Sequence, residues 1–432
     1  MVLATLLDYM AHKDEEYRNF DPARFPALFA KLRPLIDSHF GTPPPTIVHI
    51  VGTNGKGSTG RFLALMLMAC GKNVGHFVSP HLFSFADRFW ENGAVVSEAR
   101  LLEAHHFLQS LVDSSGARYC DKASYFEYAT LLAYVLFFPH QYAVIEAGLG
   151  GELDSTASLP RTLSLITPIH LDHEERLGSD IFTIALTKLR SINAHAIIGI
   201  QPDEQAVRAA LEVVAKERAI NYCFLDPSDT HVADATSHAE SRNERDILCP
   251  KPDSCVAATA HERALLRQYL SANALPAYQA QNFALAQKAL RFLNLALPDS
   301  VPMFDLGARA QRIAPNLLVD VGHNLHAAEA LCATLRQIWA GQKIELVYNA
   351  YKDKNYRAIL RCFKPLLSKI HILKLTHPRA VPLALLQEAI EAEGIQYDYE
   401  IFPLYPERFY AVFGSFSVAE SFILQYRERY GQ

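Results

Sequence analysis

The sequence predicts an α/β protein in two domains, and three observations predict it. Short β-branched runs alternate with longer helical patterns from about Thr46 to Gly199, the order expected of a doubly wound, mainly parallel sheet. The segment LALPDSVP, with Pro298 and Pro302, then breaks the helical periodicity and is the linker candidate. Beyond it a second, shorter alternation fills the rest of the chain. A length of 432 residues suits two domains, and 50% hydrophobic against 20% charged residues excludes a disordered or collagen-like chain.

Each element is read from its own pattern. TIVHIV, NVGHFV, YAVIEA, TLSLIT and HAIIGI are short runs rich in β-branched residues and are expected as buried strands. Segments beginning near Gly57, Ser97, Tyr125 and Asp180 carry helical spacing. From Thr230 to Pro252 the chain turns polar and irregular, which predicts a loop or surface insertion, and helical periodicity returns over Ala277 to Leu295. The expected domains are therefore 1–298 and 299–432. In the second come LLVDV, a helix from His326, IELVYN, a helix from Asn355, KIHILKL, a helix from Pro382, YDYEIF and a final helix to about Arg427.

Charge and composition exclude several classes of function. Lys plus Arg number 41 against 46 Asp plus Glu, a net charge of -5, so no broad basic field exists for nucleic acid or an anionic membrane. The start, MVLATLLDYMAHKDEE, lacks the basic head and apolar core of a signal peptide. No run approaches the roughly 18 apolar residues of a membrane helix. Seven scattered cysteines without CxxC spacing give neither a disulfide framework nor a zinc site. A cytoplasmic enzyme, monomeric and acting on small molecules, is the expectation.

The strand TIVHIV runs directly into Gly52-Thr53-Asn54-Gly55-Lys56-Gly57-Ser58-Thr59, followed by the helical RFLALMLMAC. Glycines there let backbone N–H groups approach a polyphosphate at a helix start. Lys56 supplies a point charge to the terminal phosphate oxygens and the Ser58 hydroxyl can ligate Mg²⁺. The spacing departs from GxxxxGK[ST], since Ile50 is not glycine and Gly57 separates Lys56 from Ser58.

This loop resembles that of the Mur-type amide ligases, in the branch containing folylpolyglutamate synthase and dihydrofolate synthase. Further segments agree in order and spacing: Ser79-Pro80-His81-Leu82, Tyr125-Phe126-Glu127-Tyr128, Glu146 in EAGLGG, Leu171-Asp172-His173 with Leu177-Gly178, Lys188, and Asp320-Val321-Gly322-His323-Asn324. The resemblance implies an N-terminal P-loop ATPase domain and a smaller C-terminal Rossmann-like α/β domain. It implies an ATP-dependent ligase that adds L-glutamate to dihydropteroate or to reduced folates through an acyl phosphate, with ATP and Mg²⁺, the latter at two sites.

Chemistry of that kind needs cations where negative charge accumulates. Glu146 ends a strand and His173 and Ser79 each follow one, at the edge where parallel sheets bind ligands, and with Ser58 they are the expected metal ligands. By residue type alone His173 suits a structural or acid/base role equally well; the resemblance assigns it to metal and, with Lys56 and Lys188, to catalysis. Lys188 matches the family lysine that is carbamylated, against the alternative of an ordinary solvated lysine. For ATP the resemblance names Asn54, Gly55, Lys56, Gly57, Ser58 and Thr59, together with Asn282, Arg309 and Asp320. Read from local sequence, Asn282 and Asp320 are equally helix caps and Arg309 surface charge. Substrate contacts are expected from Ser124, Tyr125, Phe126, Glu127, Leu153, Asp154 and His323, although Tyr125 and Phe126 also read as core.

The chain departs from the pattern at Glu152 and Ala157, where the family has arginine and asparagine, at Gly307-Ala308-Arg309 in place of Pro-Gly-Arg, and at Leu189-Arg190-Ser191 in place of Ala-Gly-Ile. NFDPARF stands where a pterin-contacting loop is expected. Two alternatives follow: a relative acting on another carboxylic acid, or a nucleotide-binding descendant without chemistry. A cell-wall ligase is disfavoured, because only about 45 residues precede the loop, too few for an additional domain.

Overall fold

The computed structural model describes residues 2–13, 20–230 and 257–431; of the polar stretch expected as a loop or insertion, all but Thr230 lies outside the described residues. The chain divides into two compact units, Met1–Tyr269 with Ala280–Phe304, and Leu270–Gln279 with Asp305–Gln432.

As far as Phe304 the elements are α1 (Val2–Ala11), α2 (Arg24–Phe40), β1 (Thr46–Val51), α3 (Lys56–Ala69), β2 (Val74–Phe77), β3 (Phe89–Glu91), β4 (Ala94–Val95), α4 (Glu98–Ser110), α5 (Tyr125–Phe137), β5 (Tyr142–Glu146), β6 (Arg161–Ile166), α6 (Glu174–Leu177), α7 (Ile181–Leu189), β7 (His195–Ile198), α8 (Glu204–Glu217), β8 (Asn221–Phe224), α9 (Ala260–Ala272) and α10 (Gln279–Phe292). An eight-stranded sheet has the order β4-β3-β2-β5-β1-β6-β7-β8. β2, β5, β1, β6, β7 and β8 pair in parallel, and the short β3 and β4 add an antiparallel edge. Because the central strands share one direction, the C-terminal ends of β1, β2, β5 and β6 open onto the same edge of the sheet, which positions the site.

Burial explains the arrangement. α2 places Phe25, Leu28, Phe29, Leu32 and Ile36 at helical spacing on one buried stripe. α5 is buried from Phe126 to Phe137 and is the centre of the core, packed with Leu6, Phe29, Phe77 and Leu101. Each such side chain contributes about 1.5–3 kcal/mol relative to exposure. α3 is buried from Gly57 to Leu67, so the helix after the phosphate loop is held rigidly.

The second unit continues with β9 (Gln311–Ala314), β10 (Leu317–Val319), α11 (Leu325–Ile338), β11 (Ile344–Tyr348), α12 (Tyr356–Phe363), β12 (Leu367–Ile372), α13 (Leu383–Ala392), β13 (Tyr397–Asp398), β14 (Phe409–Phe413) and α14 (Phe416–Tyr430). Its six strands are ordered β13-β12-β11-β14-β10-β9, parallel except for β9. Ala328, Leu331, Leu346, Tyr348, Ile359, Leu360 and Phe413 form its core. YDYEIF shrinks to the edge strand β13, while β14, which the periodicity did not single out, is central. Among the described residues no helix is long and apolar enough to cross a membrane.

Candidate functional site

The phosphate loop is fixed by the end of β6. Thr53 N–H donates to the Pro168 carbonyl at 2.9 Å, and Asn54 N–H reaches the same oxygen at 3.4 Å. The Thr53 hydroxyl donates to the His170 carbonyl at 3.2 Å. Glycine is required at Gly52, where a Cβ would lie 1.9 Å from Thr167 Oγ1 and 2.8 Å from its carbonyl oxygen. Gly55 has φ +86° and faces Asn282, whose Oδ1 also accepts the Thr59 hydroxyl at 3.3 Å. Asn282 is 3% exposed, so the helix carrying it backs the loop from within the same unit.

Lys56 opens α3. Its Nζ donates to the Thr53 carbonyl at 3.3 Å and stands 3.8 Å from Glu146 Oε1. The other Glu146 oxygen accepts the Ser79 N–H at 3.3 Å. Three strand ends thus converge: β1 through Lys56, β2 through Ser79 and β5 through Glu146. Ser58 and Thr59 are buried on the first turn of α3. His173 follows β6 in the left-handed region, φ +52°, with its N–H donating to the Asp172 carboxylate at 2.9 Å. Among the described residues no group of three or more His, Cys, Asp and Glu is arranged to hold a metal ion. One buried carboxylate, Glu146, beside the Ser79 backbone is a sparse donor set, of the kind that suits Mg²⁺, which keeps waters and completes its shell on substrate phosphates.

Lys188, on the last turn of α7, is 4% exposed, so it is not a solvated lysine. Its Nζ donates to the Gly52 carbonyl at 2.9 Å and approaches that of Gly150 at 3.5 Å. Burial lowers its pKa to about 7, the nearby Lys56 charge adds to the shift, and Asp172 and Asp154 oppose it. Asp172 is the residue that sequence reasoning left without a role; a carboxylate beside a strand-end histidine was its signal.

Asp154 folds the glycine loop after β5. Buried, it accepts N–H groups of Gly148 at 3.1 Å, Leu149 at 2.9 Å and Thr156 at 3.0 Å, and the Thr156 hydroxyl at 2.5 Å. Leu153 beside it is 50% exposed. Gly151 packs against the backbone of Lys188, where a Cβ would lie 2.8 Å from both Cα and the carbonyl oxygen. The departures at this loop are matched by a neighbour: Glu152 Oε2 stands 3.9 Å from Arg190, itself a departure, and Arg190 also pairs with Glu217.

The expected pterin residues are tied into structure. Ser124 caps α5, and its N–H donates to Glu127 Oε2 at 2.8 Å in a reciprocal capping box. Arg24 Nε donates to the same oxygen at 2.8 Å, so the Glu127 carboxylate already serves two partners. Phe126 is 4% exposed and its ring lies 5.9 Å from that of Phe77, within the core. Tyr125 is less buried, under the Arg88 guanidinium at 5.4 Å.

In the second unit Asp320 directly follows β10 and accepts Gly322 N–H at 2.6 Å, Ala310 N–H at 2.8 Å and the Tyr278 hydroxyl at 3.2 Å. Burial pushes its carboxyl up, and these donors with the Arg309 charge hold it back. Arg309 lies over the Phe416 ring at 4.8 Å. The His323 ring sits 3.2 Å from the Val321 carbonyl. These residues gather at the C-terminal ends of β10 and β14, the ligand-binding edge of that sheet.

Residues 308–414 match the family model described as Mur ligase, glutamate ligase domain. The dihydrofolate synthase/folylpolyglutamate synthase of Escherichia coli strain K12 is 30% identical over 361 residues, covering 80% of this chain and 77% of the relative. The crystal structure of Helicobacter pylori folylpolyglutamate synthetase has a TM-score of 0.72 at 33% identity and covers 98% of both chains. E. coli FolC, solved with DHPP and ADP, has a TM-score of 0.76 at 24% identity, covering 99% of this chain and 98% of its own, a likeness of fold. With identity of this extent along most of its length, the chain belongs to the dihydrofolate synthase/folylpolyglutamate synthase family of Mur-type ligases.

Proposed function

We propose that this member joins L-glutamate to dihydropteroate, to the terminal glutamate of a reduced folate, or to both, with ATP converted to ADP and phosphate. The observation that carries the reading is the convergence of Lys56, Glu146 and Lys188 on one rigid phosphate loop. A fold needs no such charges at strand ends.

The acceptor carboxylate attacks the γ-phosphorus, ADP leaves, and the amine of glutamate then displaces phosphate from the acyl carbon while losing a proton. In this reading the loop from Asn54 to Thr59 binds the polyphosphate through backbone N–H groups, and Lys56 neutralises the transferring oxygens. Asn282 sets the loop against its helix. Magnesium, held by Glu146 with Ser58, Ser79 and His173, would supply Lewis-acid stabilisation of the phosphoryl group. Lys188, once carbamylated, replaces an ammonium by an anion where cations gather. Within the second unit Arg309, Asp320 and His323 share one sheet edge, the first two expected to serve nucleotide and the third substrate. Of the expected pterin contacts, Tyr125 and Leu153 remain the better placed, because Phe126 lies in the core, Ser124 and Glu127 form the cap, and the buried Asp154 carboxylate is taken up by the loop after β5.

Purified protein with ATP, Mg²⁺ and glutamate, offered dihydropteroate or a reduced folate, tests the reading. Phosphate release that depends on one of these acceptors is expected. Release with neither would overturn the folate assignment.

A further inference from the structure

Two thiols of the second unit face each other away from the strand ends just described. Cys332 lies on α11 and Cys362 on α12, both as free thiols. The Cys362 Sγ is 3.7 Å from the Cys332 Sγ, and the Cys332 thiol donates to the Cys362 carbonyl at 3.6 Å. Cys332 is fully buried among the residues that pack the two helices together, whereas Cys362 is partly exposed. Two helices that pack directly hold the sulfurs at this separation, so a covalent bond of about 2.05 Å needs a closure of less than about 2 Å shared between two side chains.

We propose that Cys332 and Cys362 form a reversible disulfide that staples α11 to α12 when the protein meets a hydroperoxide. The partly exposed Cys362 reacts first: its thiolate attacks a peroxide oxygen, an S–O bond forms, the O–O bond breaks, and water or an alcohol leaves. The Cys332 sulfur then attacks the Cys362 sulfur, the S–S bond forms, the S–O bond breaks, and the hydroxyl leaves as water with the Cys332 proton. Two thiols lose two electrons in all and one peroxide gains them. Burial pushes both thiols up from their ordinary pKa, so the resting pair is protonated and reacts slowly with mild oxidants. The staple joins the helix that follows Asp320 to His323 with the helix that follows Lys354, and so constrains the part of the unit next to its ligand edge.

The test uses the full-length reduced protein and graded hydrogen peroxide, with alkylation, digestion and peptide mapping at doses that leave the circular dichroism unchanged. A linked peptide containing both cysteines, reversed by dithiothreitol and accompanied by a rise of several degrees in unfolding temperature, is expected. Cys362→Ser should abolish the link and the rise together. Recovery of both residues as alkylated thiols at every such dose overturns the proposal, as does Cys362 oxidised alone to a sulfinic acid. A linked peptide with a lowered unfolding temperature overturns the staple, since the bond would then strain the fold.

Discussion

The Lys188 ammonium donates to the carbonyl of Gly52, the first residue of the phosphate loop, at 2.9 Å. A lysine at a position this buried is costly while charged, and its pKa falls to about 7 from 10.5. The unfolded chain therefore holds a proton that the folded chain releases between about pH 7 and 10.5, so the cost is full below about pH 7 and disappears as pH rises through that window. In CO₂-free buffer, Lys188→Met should raise the denaturant midpoint below about pH 7 and lose that advantage towards pH 10.5. A variant destabilised throughout would show that the amine contributes more to the fold than its burial costs.

The same amine, half neutral near pH 7, is the form that CO₂ modifies. Lys188→Ala should lower turnover about a hundredfold or more. A short carboxylic acid in solution should restore part of it by occupying the vacated space. Mass spectrometry of the active enzyme under CO₂ checks the modification directly, and wild-type activity in Lys188→Ala would contradict it.

Glu146 is 3% exposed between Lys56 and the Ser79 N–H. Glu146→Gln keeps the shape and removes one ligand charge, so the Mg²⁺ titration should move to about tenfold higher concentration and kcat should fall. An unchanged titration would make the carboxylate a structural partner of Lys56 alone. Lys56→Ala, in turn, should abolish ATP turnover while leaving the unfolding transition in place.

Gly151 meets the backbone of α7 rather than a side chain. A methyl there would sit 2.8 Å from the Lys188 Cα and carbonyl oxygen, neither of which can rotate away. Gly151→Ala should cost about 1–3 kcal/mol in urea unfolding and reduce kcat by displacing Lys188. Retained stability with retained kcat would show that the loop yields instead.

Arg309 is flanked by two alanines in the left-handed region, Ala308 at φ +53° and Ala310 at φ +49°. Such a backbone costs an alanine roughly 1–2 kcal/mol, whereas glycine adopts it freely but gains entropy when unfolded. Ala308→Gly should thus be neutral or stabilising by up to about 1 kcal/mol, with the denaturant midpoint as readout. A clear loss would mean that the buried methyl contributes more than the backbone costs.

The phosphate loop and the strands beside it were legible because their chemistry is local: β1, the glycines and Lys56 are contiguous, and Glu146 and Lys188 sit at spacings the family shares. β14 was not, since FYAVF is a short apolar run whose central place depends on parallel pairing with β10 and β11, more than sixty residues away. YDYEIF read as a full strand, but β13 pairs only with β12 at the sheet edge. Ser124 and Glu127 carried their own signal, the spacing of a capping box ahead of an apolar helix. The third partner, Arg24, could not be inferred, because it lies 103 residues from Glu127 in the chain.

Transfer of oxygen from the acceptor to phosphate tests the central claim most directly. Dihydropteroate, or a reduced folate, carrying heavy oxygen in its carboxylate is incubated with the enzyme, ATP, Mg²⁺ and glutamate, and the released phosphate is analysed by mass. Attack of the carboxylate on the γ-phosphorus predicts one labelled oxygen in each phosphate released with the amide product. Amide formed with unlabelled phosphate, or phosphate released without any amide, would contradict the account.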